Sequence, residues 1–103
     1  MLWRQGDVLI ESVPNMNIPS NAAPIRSTVV AFGEATGHRH RIANRNTAQL
    51  YRRSFDRVTY MHVTADFAEL IHPEHDTLTF PRGVYRIWLQ REFDGRGRRT
   101  VAD

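Results

Sequence analysis

The sequence predicts an all-β protein, a small antiparallel barrel or jelly roll, on three observations. Apolar residues alternate with polar ones in short runs, the period of half-buried strands. The runs are separated by breaks rich in Gly, Pro, Asn and Asp. No stretch carries the longer period of a helical crossover, which a parallel sheet would need. At 103 residues the chain holds one core and is too short for two.

In chain order, the first strand is expected over Asp7 to Val13, where Val8 and Ile10 alternate with Leu9 and Glu11. It ends at Pro14, before a proline-punctuated loop that lasts to Pro24. Ser27 to Phe32 is the second strand, closed by Gly33. Gly37 to Ile42 and Ala48 to Arg53 read as a hairpin around Ala43-Asn44-Arg45-Asn46. Val58 to Thr64 is rich in β-branched and aromatic residues, and Ala68 to His72 follows a turn expected at Ala65-Asp66. The last strand is expected over Gly83 to Phe93, introduced by Pro81-Arg82-Gly83. The domain thus spans 1–94, and 95–103 reads as an exposed extension.

Composition narrows the chemistry. The chain has no cysteine, which excludes disulfides, iron–sulfur clusters, thiolate zinc sites and a cysteine nucleophile. No run approaches the ~20 apolar residues of a membrane span and no secretory leader is visible, so a cytoplasmic location and no membrane partner are expected. The net charge is +3, carried by arginines scattered through a chain without lysine. Arg96-Gly97-Arg98-Arg99 is the densest basic stretch and reads as a solvated tail rather than a nucleic-acid contact.

Four of the five histidines fall in two pairs. On an extended strand His38 and His40 share a face, with Cα atoms roughly 6.5–7 Å apart. Two imidazoles at that spacing reach one ion, since Zn–N bonds are about 2.0–2.1 Å. The second pair lies in Ile71-His72-Pro73-Glu74-His75. Pro73 cannot donate to a ladder, so a bend there brings His75 to the side of His72. The expected ligands of one divalent metal are therefore His38, His40, His72 and His75, with zinc first and iron, manganese, nickel or copper as alternatives. Glu74 is a further ligand or an acceptor that orients an imidazole. His62, alone among Tyr60, Met61 and Val63, reads as structural.

The segment Gly33-Glu34-Ala35-Thr36-Gly37-His38-Arg39-His40, with a later histidine cluster and the turn Pro81-Arg82-Gly83, resembles the cupin superfamily. It is also similar to a set of small bacterial and phage proteins sharing an opening Gln-Gly-Asp-Val, a Thr-Gly-His-x-His, a His-x-Glu-His and a closing Gln-Arg-Glu-aromatic. These match Gln5 to Val8, Thr36 to His40, His72 to His75 and Gln90 to Phe93. The resemblance implies a metal-binding barrel. It departs from the cupin pattern in lacking a carboxylate within Arg41 to Asn46 and in placing the second histidines before Pro81. His38 and His40 carry over by motif; His72 and His75 rest on spacing.

Three histidines with an open position would lower the pKa of a bound water to about 7, giving a hydroxide nucleophile. Four would close a structural site. A small barrel suits a very small substrate, so hydration or hydrolysis of the carbonic-anhydrase type is the leading expectation. Cupin-type oxygen or isomerisation chemistry and a non-catalytic metal site are the alternatives. Glu74, Tyr85 and Gln90 are the expected catalytic helpers, with Glu34 and Glu92 as further candidates. Tyr85, Trp88 and Phe93 also fit core or interface positions, and Trp3, Trp88 and the last strand offer an edge for a homodimer.

Overall fold

In the computed structural model, residues 1–32, 38–53 and 58–90 are described. Among these residues, eight antiparallel strands form one sheet curled into a half-barrel, bearing out the predicted all-β class. They are β1 (Leu2–Gln5), β2 (Val8–Ser12), β3 (Ala23–Ile25), β4 (Val29–Phe32), β5 (Arg39–Ile42), β6 (Ala48–Arg52), β7 (Thr59–His72) and β8 (His75–Leu89). Helical geometry among the described residues is confined to short 3-10 pieces, at Pro14–Met16, at Arg45–Thr47 and at Gln90 after β8. Among the described residues no helix is long and apolar enough to cross a membrane.

The organising element is the long β7–β8 hairpin. Its two halves serve different neighbours: near Thr59–Val63, β7 pairs with β6, and near Leu70–Ile71 it pairs with β5. On the other side, β2 joins the last residues of β8, and β1 closes onto β2. One apolar face fills the concave side, with Val8, Ile10, Ile42, Leu50, Met61, Val63, Leu70, Phe80 and Ile87 all 2% exposed or less. Each such side chain stabilises the fold by about 1.5–3 kcal/mol relative to exposure. Trp3 packs edge-on against Phe80 and Tyr85 at ring separations of 5.0 and 5.6 Å, pinning β1 to β8, and Phe80 and Tyr85 meet at a tilt, 5.0 Å apart.

Two register shifts let so long a hairpin curl. Between Val63 and Phe67, four steps on β7 span two on β8 (Gly83 to Pro81), so residues 64–66 bulge out. Arg82 holds that bulge, donating to the Thr64 carbonyl and, at 2.9 Å, to Oδ1 of Asp66. Nearer the tip, Leu70 to His72 spans three steps on β8 (Leu78 to His75), which puts the extra residue on β8.

Several expected boundaries are corrected. β5 and β6 do not form a hairpin: β5 lies between β4 and β7, and β6 between β3 and β7. The physical reason is local. Oδ1 of Asn44 accepts from the Asn46 amide at 2.9 Å and its carbonyl accepts from the Thr47 amide at 3.0 Å, making a 3-10 turn that carries the chain to the other half of β7. Ala65-Asp66 is the bulge within β7 rather than a turn. Likewise Pro81-Arg82-Gly83 lies inside β8, where the bulge opposite relieves the ladder bond that Pro81 lacks. The first strand of the chain is β1, which the sequence reading left out. The 14–24 loop ends by entering β3, paired with β6. Gly33, Glu34, Gly37, Glu92, Phe93 and the 95–103 extension lie outside the described residues.

Candidate functional site

The four paired histidines converge. His38 immediately precedes β5 and His40 lies within it, and Pro73-Glu74 forms the turn of the β7–β8 hairpin, so that His72 and His75 face each other as a cross-strand pair. The ring centroids of His40 and His72 are 4.2 Å apart, His72 and His75 4.6 Å, His38 and His72 5.7 Å, and His40 and His75 6.1 Å. Two imidazoles on one tetrahedral ion stand about 5 Å apart, from Zn–N bonds of about 2.0–2.1 Å and the radius of the ring. The observed separations bracket that value.

His40 forms the floor of the cluster, 1% exposed, and its orientation is set from outside it. The bulge near the hairpin tip leaves the carbonyls of Leu70 and Asp76 facing inward, and Nε2 of Gln5 donates to both at 2.9 Å. The amide of Gln5 therefore presents its oxygen, Oε1, to Nδ1 of His40 at 2.9 Å. An amide oxygen only accepts, so Nδ1 carries the proton and Nε2 of His40 keeps its lone pair. Burial, then the neighbouring His72 and more weakly His75, push the His40 pKa down to about 4 against an opposing pull from Asp7, so the ring is neutral at pH 7.

The other rings are held differently. Nδ1 of His72 accepts from the Glu74 amide at 3.0 Å, which places the proton of its neutral form on Nε2. Desolvation first, then the charges that His75 and His38 would carry, lowers its pKa as well. Nδ1 of His38 lies 3.4 Å from Oε1 of Glu74, an ion-pair distance rather than an aligned hydrogen bond. His75 lies against Gly6, whose φ is +62°: a Cβ there would stand 2.7 Å from Nε2 of His75. Glycine thus serves both the turn between β1 and β2 and the close approach of the ring.

As the rings stand, no group of three or more His, Asp or Glu side chains among the described residues is set to hold an ion. His72 spends Nδ1 on the Glu74 amide, and Nε2 of His75 faces Gly6. Turning the His72 ring over forfeits one hydrogen bond, worth about 0.5–1.5 kcal/mol net.

The remaining candidates separate. Glu74 is in the cluster, beside His38. Tyr85 is elsewhere: its hydroxyl donates to the Pro81 carbonyl at 2.6 Å, its ring packs on Trp3 and Phe80, and burial raises its pKa. Gln90 accepts from Arg4 through its side chain and donates its amide to the Asp7 carbonyl at 2.8 Å, tying the β1–β2 turn to the end of β8. Its contacts are structural. His62 pairs across the sheet with Gln49 and Val84, far along β7 from the tip. Sequence reasoning missed Gln5, Gly6 and Asp7 as parts of the site. Their signal was the opening Gln-Gly-Asp-Val, which marked these positions without giving them a role.

Fold and site together define a curled antiparallel β-protein with a histidine cluster at the end of its longest hairpin. Residues 4–90 match the family described as a domain of unknown function, DUF8820, and the chain belongs to that family. Neither a curated protein nor a solved structure matches the chain.

Proposed function

We propose that this chain binds one divalent metal ion, zinc first, at His38, His40, His72 and His75, and uses it on a very small substrate in a hydration or hydrolysis. The observation that carries this reading is the preparation of His40. A buried, neutral imidazole whose Nδ1 proton is tied to a fixed amide oxygen, with Nε2 left as a lone pair and the rings of His72 and His75 beside it, is how proteins orient a metal-ligating histidine.

The donor set fits the ion: neutral imidazoles suit zinc, copper, nickel and iron, and no thiolate is needed. The ion would supply a Lewis acid that brings the pKa of a water to about 7. The chain supplies the rest. Gln5 orients His40, Glu74 sits beside His38 where it orients that ring or accepts a proton, and Gly6 lets His75 approach. Binding requires the His72 ring to give up the Glu74 amide.

A second reading is favoured by the gathering of four rings rather than three. A closed four-histidine site would tie β5 to the hairpin tip and serve stability, without turnover. Metal analysis of untagged protein separates these outcomes. Near-stoichiometric zinc, lost in His40→Ala, with a hydration activity lost alongside it, is the expected result. Bound zinc with four nitrogen neighbours and no activity selects the structural reading. Redox-active iron or copper with oxygen uptake selects cupin-type chemistry, and protein free of metal after equilibration with zinc ends the proposal.

A further inference from the structure

Strand alternation puts Arg39 and Arg41 on the face of β5 opposite His40, both exposed, with Cα atoms roughly 6.5–7 Å apart. Among the described residues neither guanidinium has a hydrogen bond or an ion pair. They are not solvated on a flat sheet, however. Arg39 and Arg41 line an open pocket of about 430 Å³ together with Ile71, Pro73, His38 and His72. That volume lies within the usual range for small-molecule sites, about 300–1,000 Å³.

The lining has a definite chemistry. Arg41 stands opposite Ile71 in the ladder, so the pocket has a basic wall on β5 and an apolar wall on β7. Guanidinium groups stay charged at any physiological pH and present paired donors that match the oxygens of a carboxylate or phosphate. The carboxylate of Glu74 is turned toward His38 and does not line the pocket; Glu69, on the same outer face of β7, lies farther along it opposite Ala43. The balance of charge in the pocket is positive. His38 and His72 belong both to this pocket and to the ring cluster, so a ligand here lies against the cluster.

We propose that this pocket binds a small oxyanion, a carboxylate or phosphate group on a compact body, between Arg39 and Arg41. The inference rests on the arginine pair and the pocket, and it holds with or without a metal at the histidines.

The test is a titration of the chelator-treated full chain with inorganic phosphate, followed by amide and guanidinium NMR at constant ionic strength set with sodium chloride. Saturable shifts confined to residues 38–41 and 71–73 are expected, with Kd weakened at least tenfold in Arg39→Gln and in Arg41→Gln. Arg86→Gln, which removes an equal charge from β8, is expected to leave Kd within twofold. Both pocket arginines are exposed, so well-dispersed spectra of the variants are expected. Shifts that do not saturate, or that the two variants leave unchanged, overturn the proposal. A second arm uses a short single-stranded oligonucleotide: binding far tighter than phosphate, with a steep loss in added salt, makes the face a nucleic-acid contact and overturns the small-ligand reading. Zinc binding measured separately keeps the outcomes apart, because a failed phosphate titration leaves the metal result standing and the reverse.

Discussion

Gln5 and His40 form the unit from which the site is built. Gln5 is 2% exposed and uses its amide as a bracket between two bulge carbonyls and one imidazole. Removing it strands those groups, at about 1–3 kcal/mol for each that water does not reach. Gln5→Ala is therefore expected to lower stability by about 2–4 kcal/mol in urea denaturation. In the same variant, ¹⁵N spectra are expected to show His40 as a mixture of tautomers instead of the Nδ1–H form alone. A wild-type pattern there would refute the bracket. Gly6→Ala is the companion change. It places a methyl 2.7 Å from Nε2 of His75 and forces φ +62° on an L-residue, so a loss of about 1–3 kcal/mol and a displaced His75 resonance are expected.

The β7–β8 hairpin decides what the strands can do. Its tip bulge supplies the carbonyls that hold Gln5, and its Pro73-Glu74 turn sets His72 opposite His75. Between tip and base it carries Phe80, paired with Ala68 and fully buried between Trp3 and Tyr85. Phe80→Ala is expected to cost about 3–5 kcal/mol, read as a shift of the denaturation midpoint, through lost burial and the cavity left behind. The hairpin's two-sided use also explains which boundaries the sequence concealed. The 65–66 and 81–83 segments carry turn-type residues because they form and face a bulge, and bulges share their residue preferences with turns. The β5–β6 connection has the composition of a hairpin turn, yet both strands are drawn to different halves of the same partner.

For the molecule as a whole, the cluster makes folding sensitive to acid. The His40 pKa falls from its ordinary 6.5 to about 4 in the metal-free fold. Between those values the unfolded chain binds a proton that the folded chain does not. Stability is therefore fully present above pH 6.5 and declines as the pH falls toward 4, by an amount on the order of 3 kcal/mol at 1.36 kcal/mol per unit. The lowered pKa of His72 adds in the same direction. Urea midpoints measured from pH 7 to 4.5 are expected to fall in the wild type and to flatten in His40→Gln; a slope unchanged in that variant would exclude His40 as the source. A saturating divalent ion is expected to raise the melting temperature at pH 7, more than at pH 5, because protons compete for the same nitrogens. Chelation is expected to reverse the gain.

By itself the sequence determined the all-β class, the absence of thiol chemistry and the pairing of histidines. These are local properties: alternation, composition and spacing of two residues along a strand. It also carried the bend at Pro73, because a residue without an N–H falls where a ladder ends or is interrupted, as Pro81 does opposite the β7 bulge. Only the tertiary structure decided that β1 turns Gln5 toward His40, that Gly6 meets His75, and that Tyr85 and Gln90 are spent on packing and ties. Those contacts join residues 35 to 71 positions apart in the case of Gln5, and no local pattern records them. A buried glutamine has the same letter as an exposed one. What distinguishes it is the set of carbonyls and the imidazole that the curl of the sheet brings within hydrogen-bonding distance.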